Sequence, residues 1–446
     1  MKKTGTIIIS FFIFFFFINI QACTNAFLVI NKESSFEGYT LYTPEFSKNV
    51  FLMDNNGKIV HRWETDYFQG LPVYLLENGN LLRGDTQQFS KNFFLGGVTG
   101  HVGMYDWNGS LIWEFLYTNE TVLLHNDIEP LPNGNILMIG WEKINNTDAI
   151  QAGCKPKWIQ SKDVWSDIII EVEPIFPNGG KIVWEWHAWD HLIQNFDSTK
   201  QNYGNVSDHP ELIDINFEGN RRPAPNQAVD LFHINSVDYI EEFDQLLLNA
   251  RNPNEIWIID HSTNKEESSS HTGGKYGKGG DLLYRWGNPQ VYNRGSEDDQ
   301  QLFMQHDARW FESNKSGKGH VTIFNNGYQR PKGNYSSVIE LILPVNESGK
   351  YKLNPDKTYG PKEPVWTYTT GCKELLYSPF ISGAQRLPNN NTFICSGEDG
   401  VFLEVTPEKN IVWMYINLRP FPFINHVFKT QSYPSDYPGL RQLNDS

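Results

Sequence analysis

The chain has 446 residues, of which 14% are aromatic, and it carries a formal net charge of −15 at pH 7. Nucleic acids and anionic membrane surfaces are bound by clustered lysine and arginine, so this charge balance argues against both as partners. The 14 Trp, 36 Gly and 24 Pro residues are typical of a large β-rich domain with many turns.

The first 22 residues have the features of an export signal. Two lysines precede an uncharged apolar run from Ile7 to Ile20, which is shorter than the roughly 20 residues that a membrane-spanning helix needs. We therefore predict a signal peptide over residues 1–22 and an exported protein, either periplasmic or secreted. Cys23 follows in a context similar to the lipidated cysteine of bacterial lipoproteins. Lipid anchoring to a membrane at Cys23 and ordinary cleavage nearby both stay open.

If Cys23 is lipidated, three cysteines remain in the mature chain: Cys154, Cys372 and Cys395. An oxidising compartment permits one disulfide among them. Cys372 with Cys395 is one candidate pairing, but the sequence cannot assign it.

One pattern recurs six times along the chain. It is a short apolar segment, predicted to be a strand, that ends in two ring-bearing residues (aromatic or histidine) separated by one residue of any type. Positions i and i+2 share one face of a strand, so each pair lies on the same side. The pairs are His61 and Trp63, Trp113 and Phe115, Trp184 and Trp186, Tyr284 and Trp286, Trp366 and Tyr368, and Trp413 and Tyr415. The shortest interval, 47 residues from Trp366 to Trp413, matches the ~40–50 residues of four-stranded propeller repeats, so longer intervals indicate loop insertions.

Each unit contains four predicted strands, A to D, with the ring pair on strand D. The ring pair of His61 and Trp63 has only N-terminal strands before it, so its strand A must come from elsewhere. The segment HVFKT from His426 is the predicted missing strand, which would let the two chain termini complete one blade and close the ring.

The fold class predicted from this repeat is all-β: a six-bladed β-propeller of four-stranded blades, with one blade completed by both chain termini. Residues 23–446 form a single propeller domain with loop insertions, which we place at Glu266 to Gly280 and Pro344 to Lys362. A β-sandwich with coincidental tryptophan spacing is the structural alternative.

Strand A lies nearest the axis of a propeller, and three predicted A strands open with histidine: His125, His233 and His306. These side chains should converge on one mouth of the channel. Strict alternation along a strand would add Asn235 to the same side as His233. The antiparallel A–B hairpin around a turn at Glu242 to Asp244 places Arg251 level with His233.

A cluster of imidazoles, one amide and one guanidinium with few carboxylates favours a tetrahedral oxyanion as ligand. Zinc bound by the three histidines is an alternative, although the neighbouring guanidinium would repel the cation. For each histidine alone, a purely structural role in its strand is the simpler interpretation. However, the three histidines begin the predicted A strands of three different blades at the same height along the channel, and this argues against a purely structural role.

The segments around these residues resemble the aryl-sulfate sulfotransferase (arylsulfotransferase) family. They are LLHNDIEPLPNGNIL at His125, LFHINSVDYI at His233, LLNARNPNEIWIID at Arg251 and MQHDARW at His306, and the opening GYTLYTPEF and closing DYPGL are also similar. The resemblance extends over essentially the whole mature chain. The separate N-terminal β domain of some family members has no counterpart here, because propeller strands begin soon after the signal.

The resemblance implies an enzyme that moves a sulfuryl group from a phenolic sulfate ester to a phenolic acceptor, without a nucleotide sulfate donor, a cofactor or a metal. It implies His306 as the nucleophile that forms a transient sulfohistidine. It also implies that His125, His233, Asn235 and Arg251 bind the sulfuryl oxygens. We add Ser382, which opens the next strand A, as a further hydroxyl donor. His306 must be neutral to attack, so activity should fall below about pH 6–7.

Two other function classes stay open. One is a propeller lyase or hydrolase that acts on glycans, and the other is a non-catalytic binding module for sulfated ligands. The stretch WEWHAWDH adds His187 and His191, which we place in an insertion after strand D, either near the substrate mouth or in a surface loop. Asp307 should point away from His306 and have a structural role. Nothing in the sequence indicates an oligomeric state.

Overall fold

The computed structural model describes residues 26–86, 96–219, 228–313, 317–371, 376–421 and 424–443. The predicted signal peptide, Cys23 and Cys372 lie outside these residues. Cys154 and Cys395 are buried, and the pairing of Cys395 with Cys372 stays a prediction. None of the described helices is long and apolar enough to cross a membrane.

The prediction of a six-bladed β-propeller is confirmed, and each blade is a four-stranded antiparallel sheet. We number the blades in chain order and name their strands A to D from the channel outwards. The strands are Phe68–Leu75, Leu81–Thr86, Gly100–Tyr105 and Leu111–Leu116 in blade 2; Val122–Pro130, Ile136–Ile144, Val164–Pro174 and Gly180–His187 in blade 3; Ile234–Ile240, Gln245–Ala250, Glu255–Asp260 and Tyr284–Trp286 in blade 4; His306–Ser313, Gly317–Asn325, Ser337–Ile342 and Trp366–Tyr368 in blade 5; and Gly383–Arg386, Thr392–Ser396, Val401–Val405 and Ile411–Asn417 in blade 6.

Blade 1 is shared by the two ends of the chain. The N-terminal part supplies strands B to D, which are Gly38–Tyr42, Asn49–Asp54 and Ile59–Glu64, and the C-terminal part supplies strand A. That strand is Gln431–Pro434, so the prediction that the segment starting at His426 forms it is wrong. Around His426 the chain lies at the channel mouth, where Val427 forms an isolated bridge to Pro44.

A second contact that closes the ring of blades was not predicted from the sequence. The strand Ala26–Asn31 pairs with Ile411–Asn417 and becomes a fifth, outermost strand of blade 6. Both chain ends therefore bind a neighbouring blade through backbone hydrogen bonds.

All six ring pairs lie on strand D, as predicted. The hydrophobic core is divided into clusters that each combine side chains of two adjacent blades, so the blades pack face to face around the ring. Trp63, Trp113, Trp186 and Trp413 are at most 1% exposed within these clusters. The rings of the repeat therefore stabilise the contacts between blades, at roughly 1.5–3 kcal/mol for a fully buried large side chain.

The remaining described elements lie in the insertions and connections between strands, except the last 3-10 helix, which follows strand A of blade 1. Two of these insertions, 266–280 and 344–362, connect strands C and D of blades 4 and 5, as predicted. The α-helices are Asn146–Gln151, Pro156–Ile159 and Lys265–Ser268, the 3-10 helices are Ala188–His191, Val206–Asp208, Pro289–Tyr292, Glu297–Asp299 and Pro438–Leu443, and the short strands are Leu192–Ile193, Ile213–Asp214 and Val229–Asp230.

Strand A of blades 2 to 5 carries a bulge near the channel mouth, where its register with strand B shifts. A residue with positive φ lies within three of these bulges and directly before the fourth: Leu71 at 119°, Asn126 at 55° and Asp307 at 52° within, and His233 at 52° before the shift between Ile234 and Val237. A bulge breaks the two-residue alternation of side chains and redirects them. This repeated distortion determines which residues reach the cavity.

Candidate active site

A cavity of about 630 Å³ opens at one mouth of the channel. Its walls include residues from all six blades, for example Leu71, Asn126, His233, His306 and Ile381. Because the described A strands converge here, residues far apart in sequence meet at one site.

His306 opens strand A of blade 5 and is 4% exposed at the cavity wall. Its Nδ1 lies 2.8 Å from Asn326 Oδ1. The Asn326 amide nitrogen donates to the carbonyl oxygens of Ser378 and Ile381, so its Oδ1 must be an acceptor. His306 Nδ1 therefore carries the proton, and Nε2 has a free lone pair that accepts only a long bond of 3.3 Å from the Ile381 N–H.

The electrostatic surroundings keep the His306 imidazole neutral. Burial lowers its pKa well below the usual 6.5, and the positive charge of Arg251 lowers this pKa further. The hydrogen bond to Asn326 acts in the opposite direction. A neutral imidazole with a lone pair on Nε2 is the nucleophilic form of histidine.

His233 lines the same cavity and pairs with a carboxylate that the sequence analysis overlooked. Its Nδ1 lies 2.5 Å from Asp230 Oδ2, so this contact fixes the ring through Nδ1. Asp230 also lines the cavity, as does Glu45. The sequence analysis predicted few carboxylates at the mouth, whereas the structure places two of them, Asp230 and Glu45, in the cavity lining.

Arg251 follows strand B of blade 4, level with His233, as the hairpin register predicted. Its backbone N–H donates to the His233 carbonyl oxygen at 3.2 Å. Burial lowers the pKa of its guanidinium to about 10, which leaves the group charged at neutral pH. Among the described residues that line the cavity, Arg251 carries the one guanidinium, and its Nη1 donates a long hydrogen bond of 3.4 Å to Asn252 Oδ1.

His125 does not line the cavity, although the sequence predicts that it should. Its ring stacks on Trp141 at 3.7 Å and accepts a hydrogen bond from the Asn126 amide at Nδ1. The positive φ of Asn126 brings Asn126 itself to the cavity wall instead. His125 therefore lies behind Asn126 and beside His233, with ring centroids 6.1 Å apart.

Asn235 and Ser382 are also outside the cavity wall. Asn235 is fully buried, donates to the Gln305 carbonyl oxygen and accepts from Asn249, because the bulge after His233 directs it into the blade. The Ser382 hydroxyl donates to Ser378 Oγ, and its neighbour Ile381 occupies the wall. The structure thus brings His306, His233 and Arg251 together and places the other three predicted residues around them.

Asp307 has a structural role, as predicted. It binds Arg309 at 2.8 Å and lies 3.5 Å from Lys429, which also contacts Asp127 at 2.7 Å. These buried charges join blades 3 and 5 to the C-terminal segment.

An apolar wall completes the site. Leu71, Phe380, Ile381 and Phe428 form one packed cluster and also line the cavity. A planar aromatic ring can bind against such a surface while its polar substituent contacts charged groups. The cavity therefore combines an apolar wall with an end that carries the Arg251 guanidinium and the imidazoles of His233 and His306.

Comparison with known families identifies the chain. The sequence profile of the family described as Arylsulfotransferase (ASST) matches residues 20–419. The chain belongs to the arylsulfotransferase family. This arylsulfotransferase is accordingly a sulfotransferase, whose substrates are small aryl sulfates and phenols. No curated protein matches the chain.

Solved structures share the general architecture of this arylsulfotransferase at low similarity. A protein of unknown function from Bacteroides caccae is 10% identical with a TM-score of 0.47, covering 89% of this chain and 98% of that one. The β-propeller domain of Myceliophteria thermophila Cps50 is 9% identical with a TM-score of 0.38, covering 88% of each chain. A streptogramin B lyase is 10% identical with a TM-score of 0.38, covering 92% and 98%. We draw no functional argument from them.

The alternative of zinc bound by the three strand-A histidines finds no support in the arylsulfotransferase structure. Among the described residues, the one group with three ligand atoms within 4.8 Å of one another is His191, His271 and Asp281. His125, His233 and His306 do not form such a group.

Asn326 holds the His306 ring through Nδ1, a contact that sequence reasoning missed. We expect Asn326→Ala to lower kcat by about 10²-fold, because Nδ1 loses the nearer of its two acceptors and keeps only the Met304 carbonyl oxygen at 3.2 Å. Loss of that hydrogen bond should also lower the pKa of His306, so the acid limb of the pH–rate profile should move to lower pH. Steady-state kinetics across pH measure both effects. An unchanged kcat and acid limb would contradict this role.

Proposed function

We propose that this enzyme transfers a sulfuryl group from a phenolic sulfate ester to a phenolic acceptor in two steps, through a sulfohistidine at His306. The observation that carries the proposal is the His306 imidazole, which is neutral, has its proton on Nδ1 and lies with Nε2 beside the cavity and Arg251.

In the first step, His306 Nε2 attacks sulfur, an N–S bond forms and the ester O–S bond breaks. The leaving phenolate then takes a proton from solvent. In the second step, the acceptor phenol loses its proton to solvent, and its oxygen attacks sulfur and releases the neutral imidazole. This is nucleophilic catalysis with a covalent intermediate, and its kinetics would be ping-pong. Both steps balance without a nucleotide donor, a redox reagent or a metal.

Negative charge on the sulfuryl oxygens and the leaving oxygen needs stabilisation in both steps. Arg251 supplies a fixed positive charge, and His233, oriented by Asp230, is a second candidate donor. The Ile381 N–H, 3.3 Å from His306 Nε2, can donate to a sulfuryl oxygen once the N–S bond has formed. His125, Asn235 and Ser382 act indirectly, by holding the wall in place.

We further propose that the enzyme is exported, periplasmic or secreted, with either a lipid anchor at Cys23 or a plain signal cleavage. Support comes from the two lysines and the apolar run before Cys23. Mass spectrometry of the mature N-terminus distinguishes the two forms of processing.

The activity should persist at acidic pH. Burial and Arg251 lower the pKa of His306, so the ring stays neutral well below pH 6.5 and loses activity only as the pH falls through that lowered pKa. The acid limb of kcat/KM should therefore lie below pH 6.5, lower than the sequence analysis predicted. A limb at or above pH 6.5, measured with a donor that does not titrate in this range, would contradict this electrostatic account.

The proposal is tested by incubating the purified protein with an aryl sulfate, with and without a phenol acceptor. Acceptor-dependent release of the donor phenol, together with a sulfated acceptor, supports the transfer. Release that does not depend on acceptor indicates a hydrolase, and binding without release indicates a binding module. Either of these outcomes would overturn the proposal.

A further inference from the structure

A second cluster of polar side chains lies away from the cavity, on the outer side of blades 3 and 4. His191 belongs to the 3-10 helix that follows strand D of blade 3, and His271 and Asp281 belong to the loop between strands C and D of blade 4. The Nδ1 atoms of both histidines lie 2.8 Å from the same oxygen, Asp281 Oδ1. The three atoms all lie within 4.8 Å of one another.

The orientation of His191 suits a metal ligand. Its Nε2 lies 2.9 Å from the Ser268 carbonyl oxygen, which can only accept a hydrogen bond, so Nε2 carries a proton. Nδ1 faces the cluster at 2.8 Å from Asp281 Oδ1, where a metal ion would replace the hydrogen bond between the two atoms. Histidines that bind metals are commonly held in this way, with the second ring nitrogen donating to a carbonyl or carboxylate.

The cluster is also held rigidly. Trp186 stacks nearly parallel to His191, with an interplanar angle of 4°, and donates its indole N–H to the Gly280 carbonyl oxygen at 2.8 Å. A Cβ at Gly280 would lie 2.5 Å from His191 Nε2, so the loop approaches the ring as closely as glycine permits. His191 is completely buried, contrary to the surface loop considered from the sequence, whereas the His271 side chain is 59% exposed.

We propose that His191, His271 and Asp281 form a binding site for a divalent first-row transition ion, with zinc as the best match. Two imidazole nitrogens and one carboxylate oxygen are ligands typical of zinc, and the exposed side at His271 leaves room for water as a fourth ligand. Calcium and magnesium prefer sites built from oxygen alone. The ion would fasten the blade 4 loop to strand D of blade 3, a stabilising role separate from catalysis.

The test uses the full-length mature protein, stripped with a chelator and then titrated with Zn²⁺. We expect one equivalent to bind, the thermal midpoint to rise with Zn²⁺ concentration, and Mg²⁺ and Ca²⁺ to have no comparable effect. Co²⁺ should give the visible absorption bands of a low-coordinate nitrogen and oxygen site. His271→Ala should weaken Zn²⁺ binding by at least about tenfold. Because His271 is exposed, this variant should keep the thermal midpoint of the metal-free wild type.

His209→Ala is the matched control. His209 is an exposed histidine in the preceding insertion, and it pairs with a single carboxylate, Glu211, at 3.0 Å. This variant should bind Zn²⁺ as the wild type does. The proposal is overturned if Zn²⁺ does not shift the thermal midpoint of the wild type, or if His271→Ala binds Zn²⁺ with unchanged affinity.

Discussion

Replacement of His306 by alanine is expected to lower kcat/KM for aryl-sulfate transfer by at least about 10⁴-fold, because the variant has no atom that can accept the sulfuryl group. The pocket itself should persist. The side chains of Leu71, Phe380 and Phe428 pack against one another and do not depend on the imidazole for their support, so the donor should still bind. Steady-state kinetics with a chromogenic aryl sulfate, alongside donor binding by calorimetry, separate the loss of chemistry from the loss of binding.

The control for this variant is His209→Ala, which removes an exposed histidine far from the lining of the cavity and should retain full activity. Thermal unfolding checks that both variants are folded. If folded His306→Ala turned over within about tenfold of the wild type, His306 would not be the nucleophile.

Replacement of Arg251 by methionine should have the second largest effect. The variant loses the fixed positive charge beside the sulfuryl group, and we expect kcat to fall by about 10²–10³-fold. It should also change the pH profile. Arg251 lowers the pKa of His306, so its removal raises that pKa and moves the acid limb to higher pH.

Arg251→Lys separates charge from geometry. The ammonium keeps the positive charge, so the acid limb should stay near that of the wild type. The rate should still fall, because lysine cannot present two parallel N–H donors to an oxyanion. An acid limb that moves equally in the lysine and methionine variants would contradict the electrostatic role of Arg251.

Most of the fold could be predicted from one local pattern. Positions i and i+2 share a strand face in any β-sheet, so the six ring pairs identified six D strands without knowledge of long-range contacts. The closing strand was harder to predict. Val427 and Phe428 look like strand residues but are buried at the channel mouth, and the more polar segment Gln431–Pro434 forms the ladder.

The candidate site was only partly predictable, for a related physical reason. The hairpin register correctly placed Arg251 beside His233, because antiparallel backbone pairing depends only on the number of residues from the turn and not on the side chains. The alternation rule failed for Asn235 because the bulge at His233 redirects the strand. A bulge depends on the backbone conformation of single residues, and the alternation of polar and apolar side chains along a strand does not reveal it.

Asn326 and Asp230 show what sequence spacing leaves out. Asn326 directly follows strand B and contacts His306 on the neighbouring strand A, and its role depends on two carbonyl groups that fix its amide. Asp230 lies only three residues before His233, so its pairing could have been considered, but its distance of 2.5 Å depends on the positive φ of His233.

The most direct test of the account is mass spectrometry of the protein after exposure to an aryl sulfate without acceptor, with a quench at alkaline pH. We expect the mass of one sulfuryl group to be added, to map to His306 and to disappear when a phenol is supplied. The His306→Ala variant should show no addition. Product formation without any adduct, or an adduct on another residue that is discharged by the acceptor, would contradict the sulfohistidine mechanism.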